Sequence, residues 1–192
     1  MKKLILFASI IFICAYSYSQ KKVLNLPFDS VTNKISYSEV IFVDSLASKQ
    51  ELFSRAREWF AKAYKSSTNV IQMEDKESGK IVGKALMEVF SSNLGIPVEG
   101  GYMNYTISIY LKDGRYKYEI TDFYHTGKFV RNVTIPDGGS CEKLYNDKKG
   151  VGLVSYKNSY ERYLFQLDEN IISLTNDLKI AMTKKTVKND NW

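Results

Sequence analysis

The chain has 192 residues, with 27 Lys and Arg against 21 Asp and Glu. A net charge of +6 with no Lys/Arg stripe interleaved with aromatics describes a solvated surface rather than a nucleic-acid-binding one. One histidine and two cysteines cannot furnish the His/Cys ligand set of a zinc site, and the length suits one domain with an ordinary core.

The first residues, "MKKLILFASIIFICAYSYSQ", read as a secretory signal peptide. Lys2 and Lys3 form the positive start, and the apolar run that follows is too short to span a bilayer. Ser17 and Ser19 place small side chains three and one before Gln20, as signal peptidase requires. Cys14 would be the acylated residue of a lipoprotein, but Ile13 stands where that chemistry wants a small side chain, so cleavage before Gln20 is favoured over lipid anchoring. The mature chain then keeps 25 basic side chains against 21 acidic ones, a charge of +4, and a single cysteine, Cys141, so no disulfide can form within it. The expected organisation is residues 1–19 as leader, 20–182 as one α+β domain, and 183–192 as a frayed basic tail. The expected location is the periplasm or the extracellular space, with no transmembrane segment after the leader.

In the mature chain, "ISYSEVIFV" (residues 35–43) is rich in β-branched and aromatic residues and predicts a strand. "SLASKQELFSRAREWFAKAYKSS" follows with Leu52, Phe53, Ala56, Trp59, Phe60, Ala63 and Tyr64 at helical spacing. Lys49, Glu51, Arg55, Arg57, Glu58 and Lys62 fill the other side, and Ser48 with Glu51 matches a capping box. "NVIQMED" and "GKIVGKALMEVFSS" predict strands, and "NLGIPVEGG" a Gly/Pro loop. In "YMNYTISIYLKDGRYKYEITDFYH", Asp113-Gly114 predicts a two-residue type I′ turn, which pairs Lys112 with Arg115 and sets the register. That register places Met103, Tyr105, Ile107, Ile109 and Leu111 on one face opposite Tyr124, Asp122, Ile120, Tyr118 and Tyr116. The other face carries Asn104, Thr106, Ser108, Tyr110 and Lys112 and meets water. "VTIPDGGSCEKLYNDKKGVGLVS" reads as a polar connection, and residues 157–184 as a long helix whose stripe runs from Tyr160 and Tyr163 to Met182. The order implies an α+β domain in which an antiparallel sheet of about five strands carries both helices on one face.

The order of strand, capped aromatic helix, acidic hairpin and Gly-Lys strand, in "LNLPFDSVTNKISYSEVIFVDSLASKQELFSRAREWFAKAY" and "NVIQMEDKESGKIVGKA", resembles domain-of-unknown-function family 4468 over about residues 24–124. The resemblance implies a fold like that of the TATA-box-binding protein and an envelope location in Gram-negative bacteria. It brings no catalytic residues. DNA binding does not follow from the fold name, because function resides in sites.

Few motifs carry chemistry. "ESGKIVGKA" echoes a phosphate-binding loop, but Gly79 and Gly83 stand one residue too close and Ala85 replaces the magnesium-binding hydroxyl. It reads instead as a hairpin tip at Gly79 and a strand glycine at Gly83. "DGGSCEKLYNDKKG" lacks the alternating ligands of a calcium loop, and neither a metal nor a cofactor is expected. A Cys141–His125 couple is chemically conceivable, but nothing in the sequence joins the two. The one catalytic candidate is Asp122 with Tyr105. A carboxylate on the apolar face would lose its hydration, which suits a general acid or base; the competing reading leaves Asp122 in water near a strand end. Of the fourteen tyrosines, Tyr105, Tyr116, Tyr118 and Tyr124 are expected inside, and Tyr102 and Tyr110 outside as ligand or partner contacts. The expected function is a non-catalytic module that binds an envelope protein or glycan, and no nucleic acid, through a sheet face or edge. The alternative is a small hydrolase or ligand-binding enzyme with a cleft centred on Asp122.

Overall fold

The computed structural model describes residues 23–44, 46–64, 66–130, 132–146 and 154–184; the leader, Cys14 and the end of the tail lie outside these. The chain runs through β1 (Tyr37–Phe42), α1 (Lys49–Ala63), a short α2 (Ser67–Val70), β2 (Ile71–Asp75), β3 (Lys80–Asn93), β4 (Ile96–Lys112) and β5 (Arg115–Thr126). A small hairpin of β6 (Lys128–Val130) and β7 (Val133–Ile135) follows, then β8 (Gly139–Ser140), α3 (Cys141–Asn146) and α4 (Val154–Thr183). The main sheet is antiparallel in the order β1-β5-β4-β3-β2, with β8 added to β5. It is an α+β fold, and the alternation of β4 and β5 decides where its core sits.

On β4, Met103, Tyr105, Ile107, Ile109 and Leu111 are buried, while the residues between them are half-buried on the opposite face. Leu52, Phe53, Ala56, Trp59 and Phe60 of α1 join Tyr163, Leu164, Leu167, Ile171, Leu178 and Met182 of α4 in the same cluster. Both long helices therefore bury their apolar stripes against one side of the sheet.

The Ser48 hydroxyl caps α1 by accepting from the Glu51 N–H (3.2 Å), whereas the Glu51 carboxylate turns to Arg55. Arg55 departs from its expected place on the wet side. It is buried, and its Nη1 donates to the Met182 carbonyl (2.6 Å), satisfying an orphan acceptor in the last turn of α4. A guanidinium can sit there because the stem packs while the head finds a carbonyl and a carboxylate.

Two turns also differ from expectation. Lys112 pairs with Arg115 as the sequence suggests, but only Gly114 takes positive φ (+69°), so the turn is not type I′. The Asp113 carboxylate is occupied elsewhere, accepting from the Lys49 N–H at the start of α1 (2.6 Å). The expected Gly/Pro loop is instead the end of a long hairpin: Asn93 pairs with Ile96 across Leu94 and Gly95, both at positive φ. The polar connection after β5 likewise contains β7, β8 and α3. Cross-strand pairing overrides the local breakers in the strand segments.

The Gly79 and Gly83 readings hold. Gly79 ends the β2–β3 turn at φ +69°, and its carbonyl accepts from the Leu111 N–H (2.7 Å). Gly83 lies where α1 crosses β3, so an added Cβ would stand 2.8 Å from the Phe60 ring.

Candidate functional site: the open face of the sheet

Asp122 is not where the hairpin register places it. Pairing runs from Lys112–Arg115 to Thr106–Thr121 and then slips by one, resuming at Asn104–Tyr124. The extra residue makes a β-bulge, in which Asp122 adopts φ +57°, a left-handed conformation that aspartate tolerates better than most residues. The slip moves Phe123 into the core and Tyr124 out of it. Asp122 is 52 % exposed at its side chain and pairs with Lys34 (3.0 Å). Tyr105 stays in the core and its hydroxyl meets that of Tyr64 (3.3 Å), so the structure does not bring the two candidates together in a desolvated site. Sequence alone cannot reveal a bulge of this kind, because the alternation on both sides of it remains intact.

The bulge also carries His125 inward. Its Nε2 donates to the Gly100 carbonyl (2.8 Å), and its Nδ1 accepts from the Gly138 N–H (2.9 Å). The ring stacks on Tyr163 and meets Tyr160 edge-on. Burial holds its pKa below the ordinary value. β8 pairs Gly139 with His125, so Cys141 arrives one strand away; it is fully buried with Sγ 3.6 Å from Met103 Sδ. Burial pushes the Cys141 thiol up to about 12. A neutral imidazole and a protonated thiol do not make a nucleophilic couple. Among the described residues there is no group of three His, Cys, Asp or Glu side chains placed to hold a metal ion.

The remaining feature is the face of the sheet that carries no helix. Register builds it in rows: Lys117–Tyr110–Lys80, then Glu119–Ser108–Val82, then Thr121–Thr106–Lys84. Beyond the bulge come Tyr124–Asn104–Leu86 and Thr126–Tyr102–Glu88. A band of hydroxyls and an amide thus runs along the middle strand between two tyrosines. Asn104 is fixed by donating to the Thr126 hydroxyl (2.8 Å) and the Tyr124 carbonyl (3.2 Å).

Tyr102 and Tyr110 do stand on this face, but half-buried rather than exposed, because lysine side chains lie across their rings. Lys80 Nζ is 5.2 Å and Lys117 Nζ 5.8 Å from the Tyr110 centroid, and Lys128 Nζ is 5.2 Å from that of Tyr102. At the turn end, the Arg115 guanidinium lies 6.0 Å from the Phe42 ring. Each such contact is worth about 0.5–1 kcal/mol at an exposed site and fixes where the cation sits. Counter-charges are uneven. Lys128 pairs with Glu99 (2.5 Å) and Glu88 (3.4 Å), and Lys117 with Glu119 (3.5 Å). Lys80, Lys84, Lys112 and Arg115 have no carboxylate within ion-pair distance among the described residues.

These cations escape sequence reading because they come from three strands. Lys117 opposite Tyr110 is legible from the β4–β5 hairpin alone, and the β3 partners become visible only with the sheet order. The exposed tip of the β3–β4 hairpin was also missed, since it reads as a loop.

Residues 37–126 match the family model described as "Domain of unknown function (DUF4468) with TBP-like fold". A crystal structure of a DUF4468 family protein from Bacteroides ovatus ATCC 8483 is similar at a TM-score of 0.58 and 17% identity, covering 85% of this chain and 93% of that one. A TBP-like protein from Parabacteroides distasonis ATCC 8503 is similar at a TM-score of 0.56 and 16% identity, covering 80% of this chain and 97% of that one. At such identities the likeness speaks for the fold alone. No curated protein matches the chain. Residues 37–126 thus match the DUF4468 family model, and the fold is the TBP-like one of these solved structures.

Proposed function

We propose that the chain is an exported, non-catalytic binding module that engages an envelope component through the open face of its sheet. The observation that carries this reading is the asymmetry of the sheet. One face buries both long helices, and among the described elements no helix covers the other, where four aromatic–cation contacts lie beside a band of hydroxyls. Export rests on the basic start, short apolar run and small residues before Gln20. No observation favours the hydrolase reading, since Asp122 lies on the surface and is paired with Lys34.

Two experiments test the proposal. N-terminal sequencing of protein recovered from the cell envelope should begin at Gln20; recovery of uncleaved chain in the cytosol would refute export. A photo-crosslinking residue placed at Ser108 in living cells should capture an envelope component, and the same group at Lys62 on the outer side of α1 should not. Equal labelling from both positions, or none from Ser108, would refute the face as the binding surface.

A further inference from the structure

We infer that the open face takes an anionic polysaccharide, with the cluster of Lys80, Lys117, Lys84, Lys112 and Arg115 holding its acidic groups; this rests on the face being the binding surface. Tyr110 organises the cluster. Its ring draws two ammonium groups to within 5.2 and 5.8 Å of one centroid, although like charges repel. Two carboxylates lie beside these five cations, Glu119 at 3.5 Å from Lys117 and Asp75 across from Lys80, the latter turned to the Glu77 and Ser78 N–H groups of its own turn. The cluster therefore gathers an excess of positive charge on one face before any ligand arrives, which favours electrostatic complementarity to a polyanion.

The class of polyanion follows from what surrounds the cations. Proteins that hold single-stranded nucleic acid stack bases on open aromatic faces. Here the Tyr110 and Tyr102 rings carry lysine ammonium groups instead. An anionic lipid surface would call for apolar side chains beside the cations. The exposed apolar side chains of this face, Val40 and Phe42 on β1, Met73 on β2 and Leu86 on β3, flank the middle strand, whose own row between the two tyrosines is polar. Along that strand the cations adjoin Ser108, Thr106 and Thr121, whose hydroxyls both donate to and accept from sugar hydroxyls, and Asn104, whose amide oxygen can accept from one. Tyr110 and Tyr102 stand eight residues apart on one strand, so the track is about 26 Å long, enough for an extended oligosaccharide lying along β4.

The probe is polygalacturonate, a polymer of uronate carboxylates, compared with neutral dextran and with single-stranded oligo-dT by affinity electrophoresis and calorimetry on the full mature chain. Binding to polygalacturonate is expected, weakening steadily with added salt as counterions are released, with no binding to dextran. Lys80→Glu with Lys117→Glu should weaken it at least about tenfold while the thermal transition stays single and cooperative, and Lys62→Glu on α1 should leave it unchanged. The inference is overturned if polygalacturonate does not bind, if Lys62→Glu weakens it as much, or if oligo-dT binds more tightly. Such a failure with Ser108 crosslinking intact would leave the face as a binding surface for another partner; loss of both would remove the functional reading itself.

Discussion

His125 is tied on both ring nitrogens, so the fold holds one neutral tautomer. Its folded pKa lies below the ordinary 6.5 because burial penalises the imidazolium, and protonating Nδ1 would also displace the Gly138 N–H. Near pH 6 the unfolded chain therefore binds more protons than the folded one, so this contribution is whole above pH 6.5 and is lost as pH falls through the folded value. The urea midpoint should drop between pH 7.5 and 5.0, before Glu39 and the other carboxylates whose pKa is lowered begin to protonate. His125→Gln should cost about 1–3 kcal/mol at pH 7.5 by orphaning buried partners, and should flatten that pH dependence. An unchanged slope would locate the titration elsewhere. Asp122→Asn keeps a side chain suited to the bulge and loses only an exposed ion pair, so the urea midpoint should stay where it is. Gly83→Ala should cost about 1–3 kcal/mol, because the new methyl meets Phe60 and Val70 and β3 cannot withdraw from α1.

At the scale of elements, the β3–β4 hairpin is the least self-consistent part. Its turn places Leu94 at φ +48° with 96% of its surface exposed, a position where asparagine or glycine relieves backbone strain. Leu94→Asn should raise the melting temperature by a few degrees, equivalent to about 0.5–1 kcal/mol. A fall instead would show that Leu94 packs against something in the native state. Lower on the same strand, Gln166 of α4 bonds the Phe90 N–H (3.0 Å) and carbonyl (2.6 Å), taking the place of a neighbouring strand after β2 has ended. Gly100 forms the facing bulge on β4, and an added Cβ there would run into the Tyr163 ring. One helix thus closes the sheet edge and seats its bulge together.

For the whole molecule, the matched residues 37–126 are not the folding unit. α4 lies outside them and supplies Tyr163, Leu164, Leu167, Ile171, Leu178 and Met182 to the core. At about 1.5–3 kcal/mol for each buried side chain, their contribution is as large as the entire net stability of an ordinary domain. A fragment of residues 24–130 should therefore show no cooperative thermal transition and should bind a hydrophobic dye, whereas residues 20–192 should unfold in one step. Cooperative melting of the fragment would overturn this account of the core.

Much of the fold was legible because period and alternation are local. The α1 stripe, the Ser48 cap, the Lys112–Arg115 pairing, the Gly79 tip and the long C-terminal helix all follow from neighbours a few residues apart. Asp122 was misread because a bulge adds one residue without breaking the alternation on either side. Arg55 was misread because its partner, the Met182 carbonyl, lies 127 positions away. The candidate surface was hidden for the same reason: Lys80, Tyr110 and Lys117 belong to three strands and meet only through register. By itself the sequence determined the α+β class and the apolar stripes of α1, β4 and α4, since these depend on composition and spacing. Only the tertiary structure decided which lysines gather on one face and which carboxylate stays outside, because strand order and bulges set those distances.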